Sequence, residues 1–226
     1  MRRTALAISV LLLVMSLLPA LVSVAHAADE LPSYQLQYLG TGSPAAINSA
    51  GAVVGASYVN GNYSPLVSVG GAPWSTLPVP AGGVSVFPTD INDSGVIVGV
   101  SYDAGLIPVA VRWTPSGSGY TVEVLPRLAG GNSGYATAIN NLGQIVGARS
   151  AMGYAPTGTG WLYSDSRGLV DLNAVYGFAV WPADLNDNGT IIGGTETLDL
   201  NTGQIGVLPP GPSNYYPITG KLINNN

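Results

Sequence analysis

One ten-residue pattern recurs along this chain at intervals of 44, 48, 46 and 38 residues, and it restricts the chain to a repeat fold. The copies are AINSAGAVVG at 46–55, DINDSGVIVG at 90–99, AINNLGQIVG at 138–147 and DLNDNGTIIG at 184–193, with a fifth beginning LINNN at 222–226. In each, two short apolar runs flank an Asn-x-x-Gly corner, and the second run is rich in β-branched residues. Asn bonds its own backbone in turns and Gly supplies positive φ, so the corner predicts a tight turn between two strands. Repeats of this period, with room for about four strands each, predict propeller blades or other stacked β units. The expected fold is all-β: a β-propeller-like array of four repeats plus a partial fifth, with about four short antiparallel strands per repeat. The turns at Asn48, Asn92, Asn140 and Asn186 mark the repeats, with a partial one at Asn224.

Between the corners, third strands are expected at 65–69, 108–113 and 160–163, and fourth strands at 75–79, 120–125 and 168–172. The last full repeat has room for two short strands around Asn201-Thr202-Gly203. Tyr34, Leu36 and Tyr38 alternate with Gln35 and Gln37, which predicts one more strand over 34–39 and a chain that begins in mid-repeat. No long stretch keeps a 3.6-residue apolar period without Gly or Pro breaking it, so helices are not expected.

The first residues read as an address. Arg2 and Arg3 precede an uncharged run over 4–25, and Ala25-His26-Ala27 offers a small-x-small cleavage site. The run has the length of a membrane anchor, but Pro19 interrupts it and the cleavage site follows directly. A signal peptide over 1–27 is expected, releasing a single repeat domain over 28–226 to periplasm, cell surface or medium, with no stable membrane insertion. Because the fifth repeat lacks its remaining strands, the domain is expected to be a piece of a longer propeller, or else a small ring or open array. Exposed strand edges in such an array favour weak self-association.

Removing the leader leaves five basic residues against twelve acidic ones. That balance excludes phosphate-backbone binding, so no nucleic-acid partner is expected. Cysteine is absent, so stability must come from burial rather than disulfides. The only histidine, His26, leaves with the leader, which removes Ser-His-Asp, Cys-His and His-ligated zinc chemistry from the mature chain. Carboxylate-pair chemistry, as in glycoside hydrolysis, is the remaining enzymatic alternative. Several acids, namely Asp93, Asp103, Asp165 and Asp187, fall in expected turns, and Glu123 is expected to be solvated on an alternating strand. No catalytic residue and no cofactor is assigned, and the favoured reading is an exported, non-enzymatic binding or surface-structural module.

Calcium is the one metal the sequence suggests. Asp184, Asn186 and Asn188 before Gly189 match the first half of a calcium loop, but the twelfth position, which needs a bidentate Glu, holds Thr195. The shared feature of the copies is the turn rather than a ligand set, since Ala46 and Ala138 replace the leading Asp. Among aromatics, Tyr58 and Tyr102 share one offset from their Asn, and Trp113 and Trp161 share another, which predicts equivalent packing roles. Trp181, Tyr215 and Tyr216 break the register and are the candidates for contact with a glycan or protein ligand. Arg112, beside Trp113, reads as a cation-π or salt-bridge element or, as the commoner case, an exposed strand residue.

The Ile-Asn-x-x-Gly-x-Val-Val-Gly pattern, preceded by a Leu-Gly or Leu-Pro strand and followed by an aromatic-ending strand, resembles the HAF family of bacterial extracellular repeats. The resemblance spans nearly the whole mature chain. It implies export and a propeller-like fold and carries no activity to transfer. The His-Ala-Phe tripeptide of that family is absent; Val109-Ala110-Val111-Arg112-Trp113 and Thr159-Gly160-Trp161-Leu162-Tyr163 stand in its place.

Overall fold

The computed structural model describes residues 36–129, 134–149, 160–209 and 223–225. Contacts divide the chain into Met1–Gln37 and Tyr38–Asn226; the architecture below is that of the second unit, and the expected leader and Tyr34 lie outside the described residues. Among the described residues, sixteen strands form four separate four-stranded antiparallel sheets, each an uninterrupted meander in chain order. The first holds β1 (Ser43–Ile47), β2 (Val53–Val59), β3 (Asn62–Ser68) and β4 (Ser75–Thr76). The second holds β5 (Ser85–Ile91), β6 (Ile97–Tyr102), β7 (Pro108–Ser116) and β8 (Gly119–Val124). The third holds β9 (Tyr135–Ile139), β10 (Ile145–Ala148), β11 (Gly160–Ser164) and β12 (Gly168–Asp171). The fourth holds β13 (Asp184–Leu185), β14 (Thr190–Gly193), β15 (Glu196–Asp199) and β16 (Ile205–Val207).

Each Asn-x-x-Gly corner joins the first and second strands of a sheet. Gly51, Gly95, Gly143 and Gly189 take φ between 74° and 84°, the left-handed region that Gly enters without a Cβ penalty. The second strand then serves two interfaces at once, because alternate residues of a strand point to opposite faces. Ile97 packs in the cluster between the first and second sheets with Val54, Val67, Val111 and Trp113. Its neighbour Val98 packs in the next cluster with Ile139, Ile145 and Trp161. Likewise Val146 and Ile191 meet between the third and fourth sheets around Leu162, Leu172 and Phe178. A β-strand rich in Val and Ile, apolar on both faces, is what a sheet sandwiched between two others requires. Trp113 and Trp161 are both buried between sheets, 0% and 4% exposed, but their equal offsets do not give equivalent places: Trp113 pairs with Ile97, whereas Trp161 pairs with Gly147, two positions further along the motif strand. The Trp113 indole donates to the Pro78 carbonyl at 2.7 Å.

Two expectations are corrected here. Residues 36–39 form no strand: Leu36 and Tyr38 are 102% and 82% exposed, so the alternation has no apolar surface to cover. The stretch after Gly168 is a strand only to Asp171, and then a short helix, α1 (Leu172–Tyr176), follows. The Asp171 carboxylate accepts from the amides of Asn173 and Ala174, both at 3.0 Å, and Gly177 closes the helix in the left-handed conformation. Five residues are too few to show a helical period, which hid α1 from the sequence reading.

Candidate functional site

The turn ends of successive sheets are tied together by their motif Asn side chains. In each turn the Asn Oδ1 accepts from the amide four residues on: Ala52, Val96, Gln144 and Thr190, at 2.9, 3.0, 2.9 and 2.8 Å. The same side chain's Nδ2 donates to the backbone carbonyl of the Asn in the following repeat. Asn48 thus reaches Asn92, Asn92 reaches Asn140, Asn140 reaches Asn186 and Asn186 reaches Asn224, at 3.0, 3.1, 3.0 and 2.9 Å. Asn92, Asn140 and Asn186 are 4–7% exposed. A buried side chain that must donate and accept from one short stem is met by Asn and not by Asp.

A second ladder runs one residue further on. The amides of Ser49, Asp93, Asn141 and Asp187 donate to the side-chain Oδ1 of Asp93, Asn141, Asp187 and Asn225, at 2.9, 2.8, 2.7 and 2.7 Å. Asn141 also donates its Nδ2 to both Asp93 and Asp187, at 2.9 and 3.0 Å. A third set bridges repeats through Asp90 and Asp184. Asp90 accepts from Ile91 and from Ile139 of the next repeat, both at 2.8 Å, and Asp184 accepts from Leu185 and Ile223, also at 2.8 Å. The four turns and residues 223–225 surround a solvent-open recess of about 290 Å³ with Ile47, Ile91, Ile139, Leu185 and Ile223 in its walls.

The calcium candidates take part in these ladders. Both oxygens of Asp184 accept backbone amides, Asn186 serves the Asn ladder, and Asn188 donates to the Asn225 carbonyl at 3.0 Å while its own carbonyl accepts from Asn201. Among the described residues no three His, Cys, Asp or Glu side chains gather to hold a metal ion.

Burial dominates the electrostatics of the bridging acids. Desolvation pushes the Asp90 carboxyl up to about 6 against the two amides that hold it down, with Asp184 adding repulsion; Asp184 is raised for the same first reason. Asp93 and Asp199, both exposed to solvent, are held below the usual carboxylate range by hydrogen bonds, from Ser49 and from Asn201 respectively. The signs differ. The raised pair contributes stability fully below the unfolded value of 3.8, and that contribution is lost as pH rises, for Asp90 through about 6. The lowered pair contributes above 3.8 and is lost as pH falls further. Thermal melts across pH 3–8 should therefore peak near pH 4, and Asp90→Ala, which copies Ala46 and Ala138, should flatten the decline between 4 and 6. A melting temperature climbing steadily to neutral pH would contradict this assignment.

At the opposite end of the first two sheets the surface is aromatic. The β2–β3 hairpin turns at Asn60-Gly61, with φ of 52° and 85°, the geometry favoured by Asn-Gly in two-residue hairpins. It pairs Tyr58 directly with Tyr63. Ring centroids run from Tyr58 to Tyr63 at 4.8 Å, on to Phe87 at 5.3 Å and to Tyr102 at 6.1 Å. Tyr58 and Tyr63 are 64% and 42% exposed. The Tyr63 amide donates to Ser85 Oγ at 3.0 Å, which ties the hairpin to the next sheet. The equal offsets of Tyr58 and Tyr102 thus lead to one shared surface row rather than to equivalent core positions. Phe87 stands five residues before its motif Asn, as Tyr135 and Trp181 stand before Asn140 and Asn186, an aromatic offset legible in the sequence; Tyr63 has no such counterpart, and the adjacent Asn60-Gly61 turn was the only signal near it.

The other candidates fare differently. Trp181 is half-buried, its ring 4.8 Å from Tyr135, so it packs between sheets instead of projecting from a loop. Tyr215 and Tyr216 lie outside the described residues. Arg112 is not a free strand residue: its side chain is 15% exposed, pairs with Glu123 and Asp165 at 2.6 and 3.0 Å, and sits 5.8 Å from the Tyr163 ring centroid. Glu123 is correspondingly engaged rather than merely solvated. No protein-family model matches this chain, and no curated protein matches it.

Proposed function

We propose that this chain is an exported, non-enzymatic β-propeller module of the HAF-like repeat type, which holds a rigid platform outside the cytoplasm and binds a ligand there. The observation that carries the reading is how the acids are used. Asp90, Asp93, Asp184 and Asp187 each accept a backbone amide, and in every case at least one of these bonds links two repeats. Carboxylates committed to cross-linking a scaffold are poorly placed to donate or withdraw protons from a substrate, which disfavours the alternative, an exported carbohydrate-active enzyme built on a carboxylate pair. The consecutive meanders, each stacked on the next through an apolar interface, suit blades in a propeller.

The test uses protein purified from the extracytoplasmic fraction, whose intact mass should begin at Ala28. Incubated with soluble polysaccharides, it should be retained by a ligand without generating new reducing ends. Reducing ends that disappear in Asp90→Asn and Asp184→Asn would establish the enzyme instead.

A further inference from the structure

We infer that the row formed by Tyr58, Tyr63, Phe87 and Tyr102 is the ligand platform, and that its ligand is an uncharged glycan. The inference rests on the reading of the chain as a binding module and adds the site and the ligand chemistry.

Four rings in contact cross from the first sheet to the second, and the two outermost on the first sheet face solvent. Soluble proteins rarely leave contiguous aromatic surface uncovered unless something binds there. The row is held in place by its hairpin and by the Tyr63–Ser85 bond, so little ordering cost remains on binding.

Charge decides the ligand class. Between Glu30 and Asp90 the sequence contains no Asp, Glu, Lys or Arg, so all of the first sheet and the Ser85–Thr89 part of β5 are uncharged. β6 carries none either. The nearest following acid, Asp103, spends Oδ1 on the amides of Gly105 and Ile107 in its own loop. An acidic polysaccharide would find no basic group on these strands, and a protein partner selected through charged rims would find only Asp103 at their edge. Neutral sugars need none: their C–H faces pack on Tyr and Phe rings, and their hydroxyls bond neutral groups such as the phenols and the exposed Asn60 amide at the tip.

The experiment has two arms. In the first, the purified protein is titrated with cellohexaose, maltohexaose and mannohexaose, with oligogalacturonate as the charged counterpart. At least one neutral hexasaccharide should bind. Tyr58→Ala should weaken it about tenfold, Tyr58→Phe should restore most of the affinity, and Leu142→Ser at the turn end should change nothing. In the second arm, the protein is sedimented with envelopes from the producing cells, untreated, periodate-oxidised or protease-treated. Pelleting should be lost after periodate and in Tyr58→Ala, and survive protease. Loss after protease but not periodate would overturn the glycan assignment and leave the binding-module reading standing, as would binding of oligogalacturonate alone. Neutral binding indifferent to Tyr58→Ala would overturn the platform. No binding in either arm would overturn both.

Discussion

Asn92→Asp should lower the unfolding free energy by about 3 kcal/mol at neutral pH, although it changes a single atom group. Asn92 is 5% exposed, accepts from the Val96 amide and donates to the Asn140 carbonyl at 3.1 Å. The new carboxylate keeps the acceptor and loses the donor, placing an oxygen against that carbonyl oxygen with Asp90 and Asp93 on either side. For a domain of this size the melting temperature should fall by about 10 °C. The penalty should shrink as pH drops, because a protonated carboxyl regains a donor. Its pKa in the fold is raised, so stability returns below the unfolded value and is lost as pH climbs. Melts at pH 4 and 7 check this directly. Equal losses at both would mean that the side-chain donor contributes little.

Gly99→Ala should cost a comparable amount, about 3 kcal/mol, by a steric route. Gly99 lies in β6 opposite Pro88, where the pairing of β5 with β6 slips between Pro88 and Asp90. A Cβ there would meet the Phe87 carbonyl oxygen and lie 2.8 Å from the Pro88 Cα. Both are backbone atoms and cannot rotate away. The same approach recurs at Gly55, Gly147 and Gly193, against the carbonyls of Ser43, Tyr135 and Trp181. The control is Gly119→Ala in β8, where a Cβ meets nothing within 4 Å and φ is not left-handed; it should be neutral or stabilising by a few tenths of a kcal/mol. Urea titration of both variants separates the cases, and similar midpoints for the two would refute the close-approach account.

These two positions show where reading the chain stopped. The Asn of the motif was legible as a turn former, and in each repeat its Oδ1 does serve its own turn. Its Nδ2, which binds the following repeat, was not legible, because the partner carbonyl lies 38 to 48 residues away. The final Gly of the motif was visible as a repeated letter without a cause, since the bulge that fills its Cβ position belongs to the preceding strand. Arg112 was legible as a salt-bridge or cation-π element only as the less common case, because its partner Asp165 approaches from the next sheet.

By itself the sequence determined the local events: the Asn-x-x-Gly turns, the strand segments between them and the all-β class, each governed by backbone preferences and alternation over a few residues. Only the tertiary structure decided which side chains cross between repeats, that the paired acids bridge backbone amides, and that Tyr58, Tyr63, Phe87 and Tyr102 meet in one row. The physical reason is range. A turn is set by the residues within it, whereas a ladder or an aromatic row exists only once sheets distant in sequence have packed and brought their ends together.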